Sequence, residues 1–225
     1  MLKASEEALA ELAPTGLLRA AVNTGNPATT TVRPDGSLDG PSVALARRLG
    51  EALALPLTLL PFGSAGEIVA AGGTESTWDI ACLAIDPLRA EHFHFSPPYL
   101  EIEATYAVHA ASDCHAAEDV DRATSRIASS AGAAYDLHLQ RALKHASRTA
   151  FPTPKASFEA FRQGGYTAVA GVRQALEATF MGPEFRVLAD SFLAIRHALA
   201  VSAARRRAAA LLDAFMALQA PGGGG

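Results

Sequence analysis

The sequence predicts an α/β protein of two lobes joined by two strands. Three observations lead there. Short apolar runs of strand length alternate with helix-period stretches over residues 17–84, and the same alternation restarts at Arg126. Between the two units stand two strand-like segments, 104–109 on the way in and 192–201 on the way out. A final helix-period stretch, 203–220, then returns the chain to the first lobe.

In order, residues 17–22 read as a strand and 23–40 as a polar turn. Pro41 suits a first helical turn, and Val43, Leu45, Leu49, Ala52 and Leu53 recur at three- and four-residue spacing until Pro56 stops the helix. Residues 57–62 form the next strand. A short helix over 64–71, ended by Gly72 and Gly73, leads to 78–84, a run apolar enough for a strand covered on both faces. Two βαβ units with right-handed crossovers are expected. The second lobe reads as strand 126–129, helix 133–145, strand 147–151, helix 155–162, strand 166–170 and helix 172–180. The C-terminal helix is expected to be capped by Ser202. Lobe 1 is therefore residues 1–107 with 192–220 and lobe 2 is 108–191, while Pro221 and four glycines, 221–225, make a flexible tail.

Composition narrows the function. The chain has 225 residues, 49% of them hydrophobic, with 19 Lys and Arg against 23 Asp and Glu for a net charge of −4. That balance excludes a disordered chain and a nucleic-acid binder. Apolar runs everywhere fall short of the roughly 18 residues of a membrane span. The acidic, alanine-rich start has no secretory leader, so the expected location is cytoplasmic if Met1 is the native start and periplasmic if a leader was removed. Cys82 and Cys114 lie far apart without a C-x-x-C pattern, which indicates neither a zinc site nor a disulfide framework and leaves a single disulfide open. No cofactor is expected, and the chain is expected to be a monomer.

Common catalytic and phosphate-binding signatures are missing from the sequence. His92 and His94 flank Phe93 and would share a strand face, either as metal ligands lacking a third partner or as a half-exposed face. The run Arg205, Arg206 and Arg207 would meet an anionic partner or solvent. Glu101 and Glu103 flank the first connection, as a catalytic acid or as a solvated strand edge. The densest signal is the buried strand ending in DPLR, residues 86–89, followed by FSPPY at 95–99. It projects a carboxylate and a guanidinium from the carboxyl end of a sheet, where α/β folds place ligands. Arg89 suits a bidentate grip on a carboxylate; the alternative is an internal Asp86–Arg89 turn pair.

Four stretches carry a family resemblance: DGSLDGPSVALA at 35–46, WDIA at 78–81, DPLR through FSPPY at 86–99, and SAGAAYDL at 130–137. In order and spacing they resemble the extracellular solute-binding proteins of ABC importers, in the family that takes up polar amino acids. That resemblance spans about 17–220 and implies the type II periplasmic-binding-protein fold, two lobes closing on a small ligand. It implies ligand contacts from Asn26, Cys82, Ala84, Asp86 and Arg89 in one lobe and from Ala133, Ala134, Tyr135 and Gly171 in the other, with Arg89 on an α-carboxylate. Backbone amides at the helix start would grip from the second lobe, with Tyr135 either a lid or a packed helix residue. Members usually carry an acidic residue after the second-lobe strand to take the ligand ammonium. Here Gly171 and Val172 stand there, Cys82 and Ala84 replace small hydroxyl residues, and Asp86 replaces a threonine-like residue, to take the ammonium or to cap the turn. The resemblance implies a binding protein for a small carboxylate solute, with ABC transporter membrane subunits as partners. The alternative is a cytoplasmic dehydratase-like enzyme or a ligand sensor on the same scaffold.

Overall fold

The computed structural model describes residues 2–72 and 77–219. Gly73 at the end of the expected short helix, and the tail at 221–225, lie outside the described residues. The first part of the chain runs α1 (Glu6–Leu12), β1 (Leu18–Asn23), β2 (Thr31–Val32), β3 (Leu38–Asp39), α2 (Pro41–Leu53), β4 (Leu57–Phe62), α3 (Ala65–Ala70), β5 (Ile80–Ala84), α4 (Pro87–Ala90), β6 (Phe93–Phe95) and β7 (Leu100–His109). After a 3₁₀ turn at Ala117–Val120 come β8 (Arg126–Ser130), α5 (Ala134–Ala142), β9 (Ser147–Phe151), α6 (Pro154–Arg162), β10 (Ala168–Val172), α7 (Arg173–Thr179), β11 (Phe185–Val187), β12 (Leu193–Ser202) and α8 (Arg206–Gln219). Among the described residues no helix is long and apolar enough to cross a membrane.

The strands follow the order β4-β1-β5-β12-β7-β10-β8-β9, so the two long strands β12 and β7 sit at the centre and join the lobes. Each changes partner along its length. The first half of β12 pairs antiparallel with β7, Leu193 opposite Ala104 and His197 opposite Leu100, while its second half pairs with β5. β7 in turn pairs over Ala104 to Val108 with β10. Both strands have ten residues and the same burial sequence, with Leu100 and Leu193, Ile102 and Ile195, Val108 and Val201 at matching positions. Segments far apart in the chain thus lie side by side at the crossing.

Hydrophobic burial follows the lobes. One cluster packs α1, α2 and α8 against β1 and β5; a second gathers Trp78, Ile68, Leu83 and Phe93. The largest belongs to the other lobe, around Ile127, Leu139, Phe161, Val169 and Leu176. Pro41 opens α2 as expected; the structure adds the caps of α3, where Ser64 accepts the Glu67 N–H, and of α6, where Thr153 precedes Pro154 in the first turn.

Several expected boundaries move: the strand expected at 104–109 already starts at Leu100, the one expected over 78–84 starts at Ile80, and three further shifts follow a distant partner. The C-terminal helix begins at Arg206 rather than 203, because Ser202 is still paired with Phe93 in the sheet. Its cap is the Glu11 carboxylate of α1, which accepts the Arg207 N–H at 3.2 Å. The helix expected over 133–145 ends at Ala142, where the Asp121 carboxylate accepts the N–H groups of Lys144, His145 and Ala146. The strand expected over 166–170 is β10, two residues later, since its register is set by β7. The polar turn 23–40 also holds the small β2–β3 ribbon.

Candidate functional site

The site begins where β5 ends. Asp86 caps α4, its carboxylate accepting the Leu88 N–H at 2.9 Å, and one helical turn swings Arg89 back beneath the strand end. Arg89 is only 3% exposed. Its Nη1 donates to the Ala84 carbonyl and its Nη2 to the Gly132 carbonyl of the other lobe, both at 2.7 Å. Burial lowers its pKa to about 10, against which the Asp86 charge pulls upward. Even so the guanidinium stays charged at neutral pH.

The Asp86–Arg89 turn pair does not form as a direct contact. Asp86 instead reaches across the lobes to Arg141 of α5 at 2.8 Å, in a recess that it shares with His138.

From the second lobe, the turn between β8 and α5 meets this end of the first. Gly132 holds φ at +68°, a left-handed conformation that suits glycine, and a Cβ there would stand 3.1 Å from the Gly66 Cα of α3. The turn is pinned by the fully buried Asp136, which accepts hydrogen bonds from the Ser129 hydroxyl, the Arg148 guanidinium and the Gly132 N–H. At the start of α5 the amides of Ala134 and Tyr135 precede any intrahelical partner. Tyr135 is 4% exposed and packs in the second-lobe core, so it is an inner wall and not a lid. Its phenol lies beside Ser130, and burial raises its pKa beyond the ordinary 10.

Between the lobes these elements enclose a cavity of about 40 Å³. Of the residues expected from sequence, Asn26, Cys82, Ala84, Arg89, Ala133, Ala134 and Tyr135 line it, and Asp86 and Gly171 do not. Gly171 lies inside β10 opposite Thr105, and a Cβ on it would meet Leu176 at 3.0 Å and Phe158 at 3.2 Å. At the position where family members usually carry an acid, Gly171 thus stands against the Leu176 and Phe158 side chains. The Cys82 thiol faces the Ser42 carbonyl at 3.7 Å, and burial raises its pKa to about 12, which makes it inert. Cys82 and Cys114 are both free, so no disulfide links them.

Sequence reasoning missed Ser130, Phe158, Ile195 and His197 in the lining. His197 had one signal, a lone imidazole inside the apolar strand 193–201. It lies beside the cavity with its pKa lowered to about 3, first by burial and then by the Arg89 charge, and is neutral at physiological pH. Five buried side-chain polar atoms among the described residues lack a hydrogen-bond partner, and four of them belong to lining residues: Arg89 Nε, Ser130 Oγ, Tyr135 Oη and His197 Nδ1. The Ser130 and Tyr135 hydroxyls stand beside one another, so the groups left without any protein partner at the cavity are Arg89 Nε and His197 Nδ1, and such buried polar groups are costly unless a polar guest meets them.

The remaining candidates resolve elsewhere. His94 meets Asp213 at 3.0 Å, His92 precedes the strand β6, and no cluster able to hold a metal occurs among the described residues. Arg205 turns toward the buried Asp79, already held by Arg19, and Arg207 toward Glu11, so the arginine run presents no common anion surface. Glu103 pairs with Arg173 at 2.7 Å, and Glu101 and Glu103 are exposed on a central strand rather than a sheet edge.

The sequence profile of the bacterial extracellular solute-binding proteins, family 3, matches residues 18–216. No curated protein sequence matches the chain. Among solved structures, the chain is similar to the arginine-bound form of truncated ArgBP from T. maritima, with 18% identity and a TM-score of 0.77 over 93% of this chain and 99% of that one. It is similar to the cysteine-binding protein from Campylobacter jejuni, with 20% identity and a TM-score of 0.78 over 92% and 85%. The Bordetella pertussis BvgS periplasmic VFT2 domain is 18% identical, with a TM-score of 0.78 over 99% and 95%. These likenesses establish the fold, a type II periplasmic-binding-protein architecture, and the family and its solved neighbours are binding proteins rather than enzymes.

Proposed function

The chain belongs to the bacterial extracellular solute-binding proteins, family 3, and we propose that it captures a small carboxylate-bearing solute, an amino acid or related organic acid, between its two lobes. In this reading it is the substrate-binding component of an ABC importer, with transporter membrane subunits as its further partners. Lobe 1 comprises 1–107 with 192–220, and lobe 2 comprises 108–191.

The observation that carries the reading is Arg89, a buried cation facing an interlobe cavity with its Nε unsatisfied. Two carbonyls, one from each lobe, hold the guanidinium plane in place and leave Nε to donate to an anion. The first-turn amides of α5 add donors and the positive end of a helix dipole from the opposite wall. A ligand that contacts both walls stabilises only the closed arrangement, in which Arg89 meets Gly132 and Asp86 meets Arg141. Binding and closure are therefore coupled.

Calorimetry on an Arg89→Ala variant tests this. Loss of a charge-assisted contact in a closed cleft costs about 2–5 kcal/mol, so affinity for the carboxylate ligand falls at least about tenfold. An unchanged affinity in a folded variant removes Arg89 from the site and the reading with it.

A further inference from the structure

Resting on the carboxylate reading above, we infer that the cavity selects short carboxylates without an ammonium group, carrying an oxygen rather than a nitrogen next to the carboxylate. Three observations on the cavity wall point there.

The first is charge. Among the described residues that line the cavity, Arg89 is positive and none is Asp or Glu. An α-ammonium would enter beside a guanidinium with no anion to meet it. Among the described residues outside the lining, Asp86 is committed to Arg141 and to the Leu88 N–H in a separate recess, and the buried Asp136 behind Tyr135 is taken up by Ser129, Arg148 and the Gly132 N–H. Glu159 lines only the outer recess, where it is half exposed and faces Lys155 at 3.9 Å. Nor is there room at Gly171 for an acid to be supplied, since Leu176 and Phe158 already occupy the space in front of its Cα.

The second is the field at the wall, where the 5% exposed His197 is close enough to Arg89 to feel its charge. Burial and the Arg89 charge together strip its proton down to about pH 3. A cation is rejected at this wall by desolvation and repulsion, and a ligand ammonium placed in the same space meets both.

The third is the match of the polar groups at the wall. Arg89 Nε can only donate; Ser130 Oγ, Tyr135 Oη and, by tautomer, His197 Nδ1 can donate or accept. Carboxylate oxygens and a neighbouring hydroxyl or carbonyl oxygen satisfy such a set without bringing positive charge. The space is small, about 40 Å³, which favours the shortest such acids.

Shape-matched pairs separate charge from size. The full chain, unfolded in guanidinium and refolded to strip any carried ligand, is titrated calorimetrically with L-lactate, D-lactate and pyruvate against L-alanine and D-alanine, and with glycolate against glycine. The expected result is binding of at least one hydroxy or oxo acid about a hundredfold tighter than its amino counterpart, abolished in Arg89→Ala. Equal or tighter binding of alanine or glycine overturns the inference and leaves the carboxylate reading standing. Refolded protein that binds none of these acids overturns the inference, and if it also ignores the remaining common amino acids and dicarboxylates, the carboxylate reading falls too.

Discussion

His197 should make the protein acid-sensitive by an amount that can be calculated. The imidazole sits in the middle of β12 with 5% of its surface exposed, and burial and the Arg89 charge lower its pKa from the ordinary 6.5 to about 3. Once unfolded, the same side chain is hydrated and takes up a proton near 6.5. Between these two values the unfolded state binds one proton more than the folded state, so stability rises with pH there. The contribution is complete above 6.5 and is lost as the pH falls from 6.5 toward about 3, below which both states carry the proton. With about 1.4 kcal/mol per pH unit, the uptake by the unfolded chain between pH 7 and pH 5 amounts to about 2 kcal/mol. Urea unfolding of the wild type and of His197→Gln at both pH values, at constant ionic strength, isolates this term, because the other titrating groups are common to both proteins. The wild type should lose about 2 kcal/mol more than the variant on going to pH 5. Parallel losses would mean that the folded protein protonates His197 readily, and the account of a cation-rejecting cavity wall would be wrong.

Two further outcomes concern the lobes. In Gly66→Ala the new Cβ would stand 2.9 Å from the Ala131 carbonyl oxygen on the facing lobe. Alanine favours helix α3 by up to about 1 kcal/mol, so stability should hold while closure is blocked, read as a scattering radius that fails to shrink at saturating ligand and an affinity at least about tenfold weaker. Normal closure would show that the Gly66–Gly132 approach is not needed. Asp136→Ala removes the anion between Ser129 and Arg148 and leaves a guanidinium largely buried without its partner. Stability in urea should fall by about 3 kcal/mol, and a loss below about 1 kcal/mol would remove Asp136 as the pin of the β8–α5 turn.

Much of the architecture was legible along the chain because its causes are local. Pro41 and the spacing of Val43, Leu45 and Leu49 specify α2 whatever surrounds it, and the strand over 57–62 lies where its apolar run predicts. The turn expected at Asp86 to Arg89 is a single helical turn in the structure, capped by Asp86. The candidate site was half legible for the same reason: the end of β5 and the start of α5 are local events, and most of the residues that they present do face one cavity. What escaped was every feature whose cause is a partner distant in sequence. Glu11 caps α8 from 196 residues away, Asp121 ends α5, and Arg141 rather than Arg89 takes the Asp86 carboxylate. Gly171 reads in the chain as a missing ammonium anchor; only the structure shows that it sits inside β10 against Leu176 and Phe158 and outside the cavity lining. The chemistry of His197 is likewise invisible in the strand 193–201, because an imidazole's proton affinity is set by the water it loses and by a charge more than a hundred positions earlier in the chain. Residue type and spacing decide what a segment can form; solvent exclusion and the convergence of separate segments decide what its side chains then do.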